Sequence, residues 1–322
     1  MLMRKTALLV LIAGAMTLAH GAFAQDYPNR LIKIVVPYPP GGGNDRMARV
    51  LGEKLHKKWG QPVIIENRAG GGGNIGSEYV SSSAPDGYTL LFAAQLNLVI
   101  AKSIYANLGF DPDKFTPITV VTTSPNILVV NPNLPIHTLA DLIAFARANP
   151  TKLSYGSTGI GSSQHLASEL LKSMAGIAAV HVPYKGTAPA LGDLLAGHIE
   201  MMFVEVSNAL PYIRAGTLRA LATGGENRDP ALPDLPTMAE GLPGFTSMQW
   251  TGIVAPPETP AAIANQLSDA VAAALKEPDV VKMVSDLRMQ AIGSSTANAA
   301  AFMATERERW GGIIRAIGAK AE

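Results

Sequence analysis

The chain of 322 residues contains no cysteine. This absence excludes disulfides, a thiol nucleophile and a lipid anchor attached through a cysteine. The fold must therefore be stabilised by its hydrophobic core, and a chain of this size buries roughly three-quarters of the surface of its unfolded form. The length is typical of two domains of ordinary size.

An excess of charge of either sign is also lacking, since 26 basic residues are balanced by 25 acidic ones. Nucleic acids and anionic membranes are bound by surfaces on which Lys and Arg are concentrated. We therefore expect no nucleic-acid partner.

The short motifs of common enzyme classes are missing as well. The six histidines form no H-E-x-x-H motif, and there is no G-x-S-x-G nucleophile elbow. The stretch Gly71–Gly76 matches G-x-G-x-x-G, but the strand predicted after it, Thr89–Ala93, leads to no carboxylate that could hold a ribose. It predicts a tight connection into a helix near Ile75, and we expect no metal and no cofactor.

The N-terminal residues 1–24 have the parts of a secretory signal peptide. Arg4 and Lys5 precede an apolar run over residues 7–19, and Ala22-Phe23-Ala24 is typical of a cleavage site. The apolar run is shorter than the about 20 residues that span a bilayer, and no later run is long enough. We expect cleavage after Ala24 and a soluble, periplasmic mature protein.

Short β-branched runs alternate with amphipathic helical segments along the rest of the chain, which predicts mostly parallel sheets with helices on both faces. Ser124-Pro125 and residues 224–236 interrupt this pattern and are predicted to be crossovers or surface loops. The predicted strands are Ile32–Val36, Val63–Glu66, Thr89–Ala93, Ile118–Val121, Ile127–Val130, His181–Pro183, Ile199–Val204, Arg219–Thr223 and Gly252–Ala255.

The most informative feature is Pro37–Asp45, P-Y-P-P-G-G-G-N-D, which lies between a predicted strand and a helical pattern that begins near Arg46. Its glycines allow a ligand close to the backbone, and the N–H groups at a helix N-terminus attract anions. Asn44 and Asp45 stand where a nucleotide-binding loop has a lysine and a hydroxyl. The loop therefore favours a carboxylate.

The side chains around this loop have two interpretations each. Asp45 either stabilises the first turn of the helix or accepts a hydrogen bond from a ligand. Tyr38 and Trp250 either pack in the core or stack on a ligand, whereas Arg46 and Arg49 are expected at the surface.

A second glycine-rich stretch, Gly156–His165, opens the helical pattern Leu166–Met174. Ser162 or Ser163 is predicted to cap this helix, which leaves other hydroxyls and amides free to bind an anion. A flexible loop before a capped helix would explain the stretch equally. Because two such loops lie in the two halves of the chain and neither has Lys or Arg at its tip, we expect them to form opposite walls of a cleft that binds reversibly.

Stretches along nearly the whole mature chain match one known pattern: YPNRLIKIVVPYPPGGGND, VIIENRAGGGGNIG with APDGYTLLF, YGSTGIGSSQHLASELL, VPYKGTAPALGDLLAGHIEMMF, ALPYIRAGTLRALA and WTGIVAPPETP. In this order they resemble the Bug-type (TctC-like) periplasmic solute-binding proteins of the tripartite tricarboxylate transporter family. The resemblance implies an α/β fold of two domains in the type II, Venus-flytrap arrangement of periplasmic binding proteins. It also implies that a small organic carboxylate is held between the two glycine loops and passed to membrane permease subunits.

The resemblance further implies which residues contact the ligand. They are Tyr38, Gly41, Gly42, Gly43, Asn44 and Asp45 from the first loop, Ser157, Thr158, Gly159, Gly161, Ser162, Ser163, Gln164 and His165 from the second, and Ala94, Gln95, Tyr184 and Lys185 nearby. One position departs from the family, whose members often have Asp-Asn after the strand that ends in Met-Met-Phe. Here Val204-Glu205 stands there, and Glu205 in the cleft would repel a second carboxylate or accept a hydrogen bond from an amine.

We expect residues 25–124 with 225–322 to form one domain and residues 125–224 the other. The predicted function is that of a monomeric extracytoplasmic receptor for a small carboxylate, without enzymatic activity. Two alternatives stay open at this point. In the first, the ligand-loaded protein docks on a sensory membrane receptor instead of a permease. In the second, the protein is a hydrolase that uses a serine near His165.

Overall fold

A computed structural model describes residues 27–321, so the expected signal peptide lies outside the described residues. Within that range the chain alternates strands and helices, as its pattern predicts. None of the helices in this range combines the length and the apolar character that crossing a membrane requires.

The strands form one mixed sheet. In chain order they are β1 (Ile32–Val36), β2 (Val63–Asn67), β3 (Thr89–Ala94), β4 (Thr116–Val130), β5 (Ser154–Ser157), β6 (Val180–Pro183), β7 (Met201–Glu205), β8 (Arg219–Thr223), β9 (Met248–Ala255) and β10 (Gln290–Ala291).

The helices lie between these strands and at the C-terminal end. They are α1 (Gly43–Trp59), α2 (Asn74–Ser81), α3 (Ala101–Ile104), α4 (Leu139–Ala148), α5 (Ser163–Ala175), α6 (Thr187–Ala196), α7 (Val206–Arg214), α8 (Met238–Gly241), α9 (Ala261–Ala274), α10 (Pro278–Asp286) and α11 (Thr296–Ile317).

The order of strands across the sheet is β2-β1-β3-β9-β4-β7-β5-β6, with β8 and β10 also pairing with β4. The outer pairs at both ends of this order are parallel. Every pair that involves β4 or β9 is antiparallel. The two βαβ-type ends of the sheet are therefore joined by an antiparallel centre.

The long strand β4 corrects the prediction of two strands separated at Ser124-Pro125. The strand is continuous through Pro125, and its partner strands change at this point. Thr116–Pro125 pairs with β9, and Asn126–Val130 pairs with β7 and β8. A proline inside a strand is tolerated where the ladder is interrupted. One strand therefore runs through both ends of the sheet.

Local sequence signals mark the starts of two helices. Thr138 and Asp141 form the capping box of α4, and Ser162 caps α5. The third glycine stretch is a 3₁₀ turn, Gly71–Gly73, that leads into α2 as expected. At Gly73, with φ 97°, an added Cβ would lie 2.7 Å from the Asn97 amide, so the turn requires glycine.

Helices cover both faces of the sheet. In β1 the successive residues Ile34 and Val35 belong to two different hydrophobic clusters, as do Ile127 and Leu128 in β4. Successive side chains of a strand point to opposite faces, so both faces are buried at each end of the sheet. This explains why the strands appear as unbroken apolar runs in the sequence.

Candidate functional site

The first glycine loop connects β1 to α1 and is held by a buried carboxylate. Asp45 is only 3% exposed, and it accepts hydrogen bonds from the Gly41 N–H at 2.9 Å, from Asn67 Nδ2 at 2.9 Å and from Arg49 Nε at 3.0 Å. The bond from Arg49 is the main reason that the pKa of Asp45 falls to about 2. Asp45 thus serves the stabilising role that the sequence left open, although it also lines the cavity described below.

Tyr38 fixes the same loop to the end of β3. Its hydroxyl donates to Asn97 Oδ1 at 2.7 Å and accepts from the Ala94 N–H at 3.1 Å. Burial raises the pKa of Tyr38 to about 12, so the phenol stays neutral at physiological pH. The loop is therefore positioned before any ligand arrives.

Side-chain caps are missing from three of the helices that open at this site. Gly42, Gly186 and Glu205 precede α1, α6 and α7, and none of these N-termini donates a hydrogen bond to a capping side chain. The first N–H groups of a helix have no partner within the helix, and they carry the positive end of its dipole. The N-termini of α1 and α6 can therefore donate hydrogen bonds to an anion, whereas Glu205 places a carboxylate at that of α7.

The second glycine loop connects β5 to α5 and is supported from beneath by its own hydroxyls. Ser157 Oγ contacts His181 Nε2 at 2.6 Å and accepts from the Gly159 N–H at 3.0 Å. Ser162 Oγ accepts from the His165 N–H at 3.2 Å and donates to the Gly159 carbonyl at 2.7 Å. These bonds fix the loop backbone.

A cleft with two chambers lies beside the first loop, and the second loop lines only the smaller of them. The larger chamber, of about 530 Å³, is lined by Tyr38, Pro39, Gly42, Gly43, Asn44, Asp45, Arg46, Thr122, Thr123, Ser124, Glu205, Ser207, Asn208, Gln249, Trp250, Thr251, Asp286, Leu287 and Met289. The smaller chamber, of about 230 Å³, is lined by Tyr38, Asn44, Ala94, Gln95, Leu96, Thr158, Gly161, Ser162, Ser163, Gln164, Thr187, Glu205 and Gln249. Because Tyr38, Asn44, Glu205 and Gln249 line both, the two chambers are parts of one cleft.

Most residues that the resemblance implies are brought together in this cleft, and a few are not. Those outside its lining are Gly41, Ser157, Gly159, His165, Tyr184 and Lys185. The hydroxyl of Tyr184 instead donates to Asp193 at 2.7 Å, and Lys185 is exposed. Gly41, Ser157, Gly159 and His165 are bonded within the loops and act as their supports.

Gln95 presents an unpartnered polar side chain to the smaller chamber. Its side chain is 3% exposed, and neither its Nε2 nor its Oε1 has a hydrogen-bond partner among residues 27–321. Leaving a buried amide group unpaired costs about 1 to 3 kcal/mol. Such a cost is tolerated at a site where a ligand supplies the missing partners.

Gln249 and Thr187 line the cleft but were missed from the sequence. The predicted strand began at Gly252, whereas β9 begins at Met248 and carries Gln249 into the cleft. Thr187 is the first residue of α6, after a glycine at positive φ. In the sequence, Thr187 is indicated only by the Lys-Gly-Thr run at the start of that helix.

The geometry does not favour a hydrolase. His165 lies outside the cleft, and its Nδ1 accepts from the Gly161 N–H at 3.3 Å, so it activates no serine. The serine and histidine that are in contact, Ser157 and His181, do not line the cleft, and Ser157 is fully buried. A nucleophile must be within reach of its substrate.

The chain is similar to proteins of one family over nearly its whole length. A family model described as "Tripartite tricarboxylate transporter family receptor" matches residues 47–319. Protein BugT of Bordetella pertussis is 37% identical over 300 residues, which cover 92% of this chain and 92% of that protein.

Two solved structures share the architecture. The R. palustris protein Rpa4515 with adipate is 35% identical, with a TM-score of 0.76, over 91% of this chain and 99% of its own. The periplasmic binding protein BugD is 32% identical, with a TM-score of 0.75, over 92% of this chain and 100% of its own. The predicted fold class, a periplasmic-binding-protein fold of mixed sheet and flanking helices, is confirmed.

Proposed function

Since the chain belongs to the tripartite tricarboxylate transporter receptor family, we propose that it is a periplasmic receptor. It captures a small organic carboxylate and delivers it to the permease subunits of a transporter of that type. Capture and release need no chemical step, and the receptor acts as a monomer without enzymatic activity. The same cleft would serve a sensory receptor, but no feature of the described residues favours that partner over a permease.

Gln95 is the observation that carries this proposal. Its amide, unpartnered and buried, lies in a chamber that also receives the N-termini of α5 and α6. The Nε2–H₂ group and the helix N–H groups can donate to one carboxylate, and a hydrogen bond to a charged group contributes about 1.5 to 3 kcal/mol. That Rpa4515 binds adipate supports the same class of ligand for this chain.

We further propose that the cleft closes by rotation of two lobes. One lobe contains β1, β2, β3 and β9, the other β5, β6, β7 and β8, and β4 connects them. A second connection near Ser247, rather than at the expected boundary of residue 225, is supported by the hydrophobic cluster that Met238 and Phe245 share with Leu128 at the end of β4. Hinge closure at two such strands would bury the ligand.

The variant Gly42→Val tests where the carboxylate binds. Gly42 has φ −72°, which valine adopts readily, and an added Cβ would meet only the Pro39 carbonyl, at 4.0 Å. The side chain therefore fits the fold but fills the larger chamber in front of α1. We expect affinity to fall by more than about tenfold, as measured by titration calorimetry.

Gly192→Val is the matched control, because Gly192 is exposed on α6 with no atom within 4 Å of an added Cβ and lies outside the cleft lining. Its affinity should equal that of the unmodified protein.

Thermal-shift screening against organic acids, aromatic acids and amino acids identifies the ligand. The proposed function is rejected if no acid shifts the melting temperature.

A further inference from the structure

The cleft is lined by hydrogen-bond acceptors as well as donors. Glu205, the last residue of β7, lines both chambers. Its Oε2 accepts from Asn208 Nδ2 at 2.9 Å, and Glu205 takes part in none of the salt bridges found within residues 27–321. No cation among these residues therefore lies within ion-pair distance of this carboxylate.

Gln249 supplies a second acceptor beside Glu205. Its Oε1 is buried and has no hydrogen-bond partner among the described residues. In an acidic site of this kind, an unpaired carbonyl oxygen is an acceptor that awaits a donor from outside the chain. Gln249 also lines both chambers.

The sheet register explains why these two side chains share the cleft. Gln249 pairs with Ser124 on one side of β4, and Glu205 pairs with Asn126 on the other side. Ser124 and Asn126 are two residues apart, so they and their partners point to the same face of the sheet. Two strand spacings across the sheet and two residues along β4 separate the backbones of Gln249 and Glu205 by about 12 Å, a gap that two long side chains narrow.

The charges of the lining argue against a second carboxylate on the ligand. Among residues 27–321, Arg46 is the one basic residue in the lining of either chamber, and it is exposed. Three carboxylates line the larger chamber, but Asp45 is paired with Arg49 and Asp286 with Lys282, which leaves Glu205 as the acidic side chain without an ion pair. A second carboxylate near Glu205 would meet a like charge, whereas a cation there would meet an opposite one.

We propose that the ligand is a small amine-bearing carboxylate, whose ammonium group binds Glu205 and Gln249 Oε1 while its carboxylate binds the helix N-termini. This inference rests on the proposed function and narrows its ligand class. Glu205 is then the residue that distinguishes an amino acid from a dicarboxylate.

Titration calorimetry with three sets of ligands of equal chain length tests the proposal. Each set contains an ω-amino acid, the dicarboxylate and the plain monocarboxylate: 4-aminobutyrate, succinate and butyrate, for example, and 6-aminohexanoate, adipate and hexanoate. Alanine, serine and lysine vary the position of the amine. We expect the best amine-bearing ligand to bind at least about tenfold more tightly than the dicarboxylate and monocarboxylate of its length, as a charge-assisted hydrogen bond implies.

Glu205→Gln keeps the size of the side chain and an oxygen that accepts from Asn208, and removes the charge. It should weaken the amine-bearing ligand by at least about tenfold and leave or improve the dicarboxylate. Glu308→Gln is the control, because Glu308 is exposed on α11, outside the cleft lining. The control should change the affinity neither for the amine-bearing ligand nor for the dicarboxylate.

The possible failures are distinguishable. If a dicarboxylate binds more tightly than every amine-bearing ligand, or if Glu205→Gln weakens all three ligand classes equally, the amine proposal is wrong while carboxylate capture stands. Equal binding of monocarboxylates and amine-bearing ligands would also refute recognition of the amine. If none of the three classes binds, the proposed function fails together with this inference.

Discussion

We expect Glu306→Ala to lower the free energy of unfolding by about 3 to 5 kcal/mol, because it removes the acceptor shared by several buried donors. Glu306 lies on α11 and is 7% exposed. Its Oε2 accepts from Trp250 Nε1 at 3.0 Å and from Trp310 Nε1 at 2.9 Å, and its Oε1 accepts from Arg309 Nη1 at 3.2 Å. The alanine variant would leave two indole N–H groups and a largely buried guanidinium without this partner.

The loss would extend beyond α11 to the cleft. Trp250 lies on β9 and lines the larger chamber, so the bond from its indole to Glu306 helps to orient one wall of the cleft. Arg309 also donates to the Thr246 carbonyl and lies 4.4 Å from the centre of the Trp310 ring. Burial lowers the pKa of Arg309, which is consistent with a guanidinium that depends on its neighbours.

Urea denaturation followed by tryptophan fluorescence measures this effect, since two of the three tryptophans in the chain contact Glu306. Glu308→Ala, two residues along the same helix, is the matched control and should change stability by less than about 0.5 kcal/mol, because Glu308 is exposed. A loss at Glu306 no larger than the loss at Glu308 would show that the buried network adds no stability.

The sequence predicted those features of the fold that depend on local signals. Ser162 marks the start of α5, and the glycines before Asp45 and Ser162 mark the two loops, because capping and positive φ are properties of a few neighbouring residues. These signals sufficed to place both walls of the cleft.

Features that depend on distant pairing were not predicted. The continuity of β4 through Pro125 depends on a change of partner strand, and Gln249 enters the cleft only because β9 extends to Met248 beside Ser124. The sequence around Glu306 resembles a surface helix with an i, i+3 Glu–Arg pair. Its burial depends on Trp250, 56 residues earlier in the chain.

The second prediction with a large effect concerns the stability of the protein at acidic pH. It rests on two histidines beneath the second glycine loop. His165 and His181 lie with ring centres 4.4 Å apart, and both contact that loop, through Gly161 and Ser157 respectively. Burial, followed by the adjacent His181, lowers the pKa of His165 to about 4, and burial also lowers the pKa of His181. The other charged groups beside them are Glu169 and Lys172, which form a salt bridge at 2.6 Å.

The direction of the pH effect follows from this shift. Above the ordinary pKa of about 6.5, His165 is neutral in both the folded and the unfolded chain and has no differential effect. Between pH 6.5 and pH 4 the unfolded chain binds a proton that the folded chain does not, so stability falls as the pH falls. We expect His165 alone to account for a loss of about 2 to 3 kcal/mol between pH 7 and pH 4.5.

The variant His165→Asn removes the titratable group at this position but keeps a hydrogen-bond acceptor there. The asparagine Oδ1 can accept from the Gly161 N–H in place of Nδ1, but it does not titrate, so the unfolding free energy of the variant should fall less between pH 7 and pH 4.5. His198→Asn is the control, because His198 is 69% exposed and should leave the pH dependence unchanged. Protonation of His165 would also break the bond that holds Gly161, so the unmodified protein should lose ligand affinity over the same range and His165→Asn should retain it. If the unfolding free energies of the unmodified protein and of His165→Asn fall equally between pH 7 and pH 4.5, other groups cause the loss and His165 is only a packing residue.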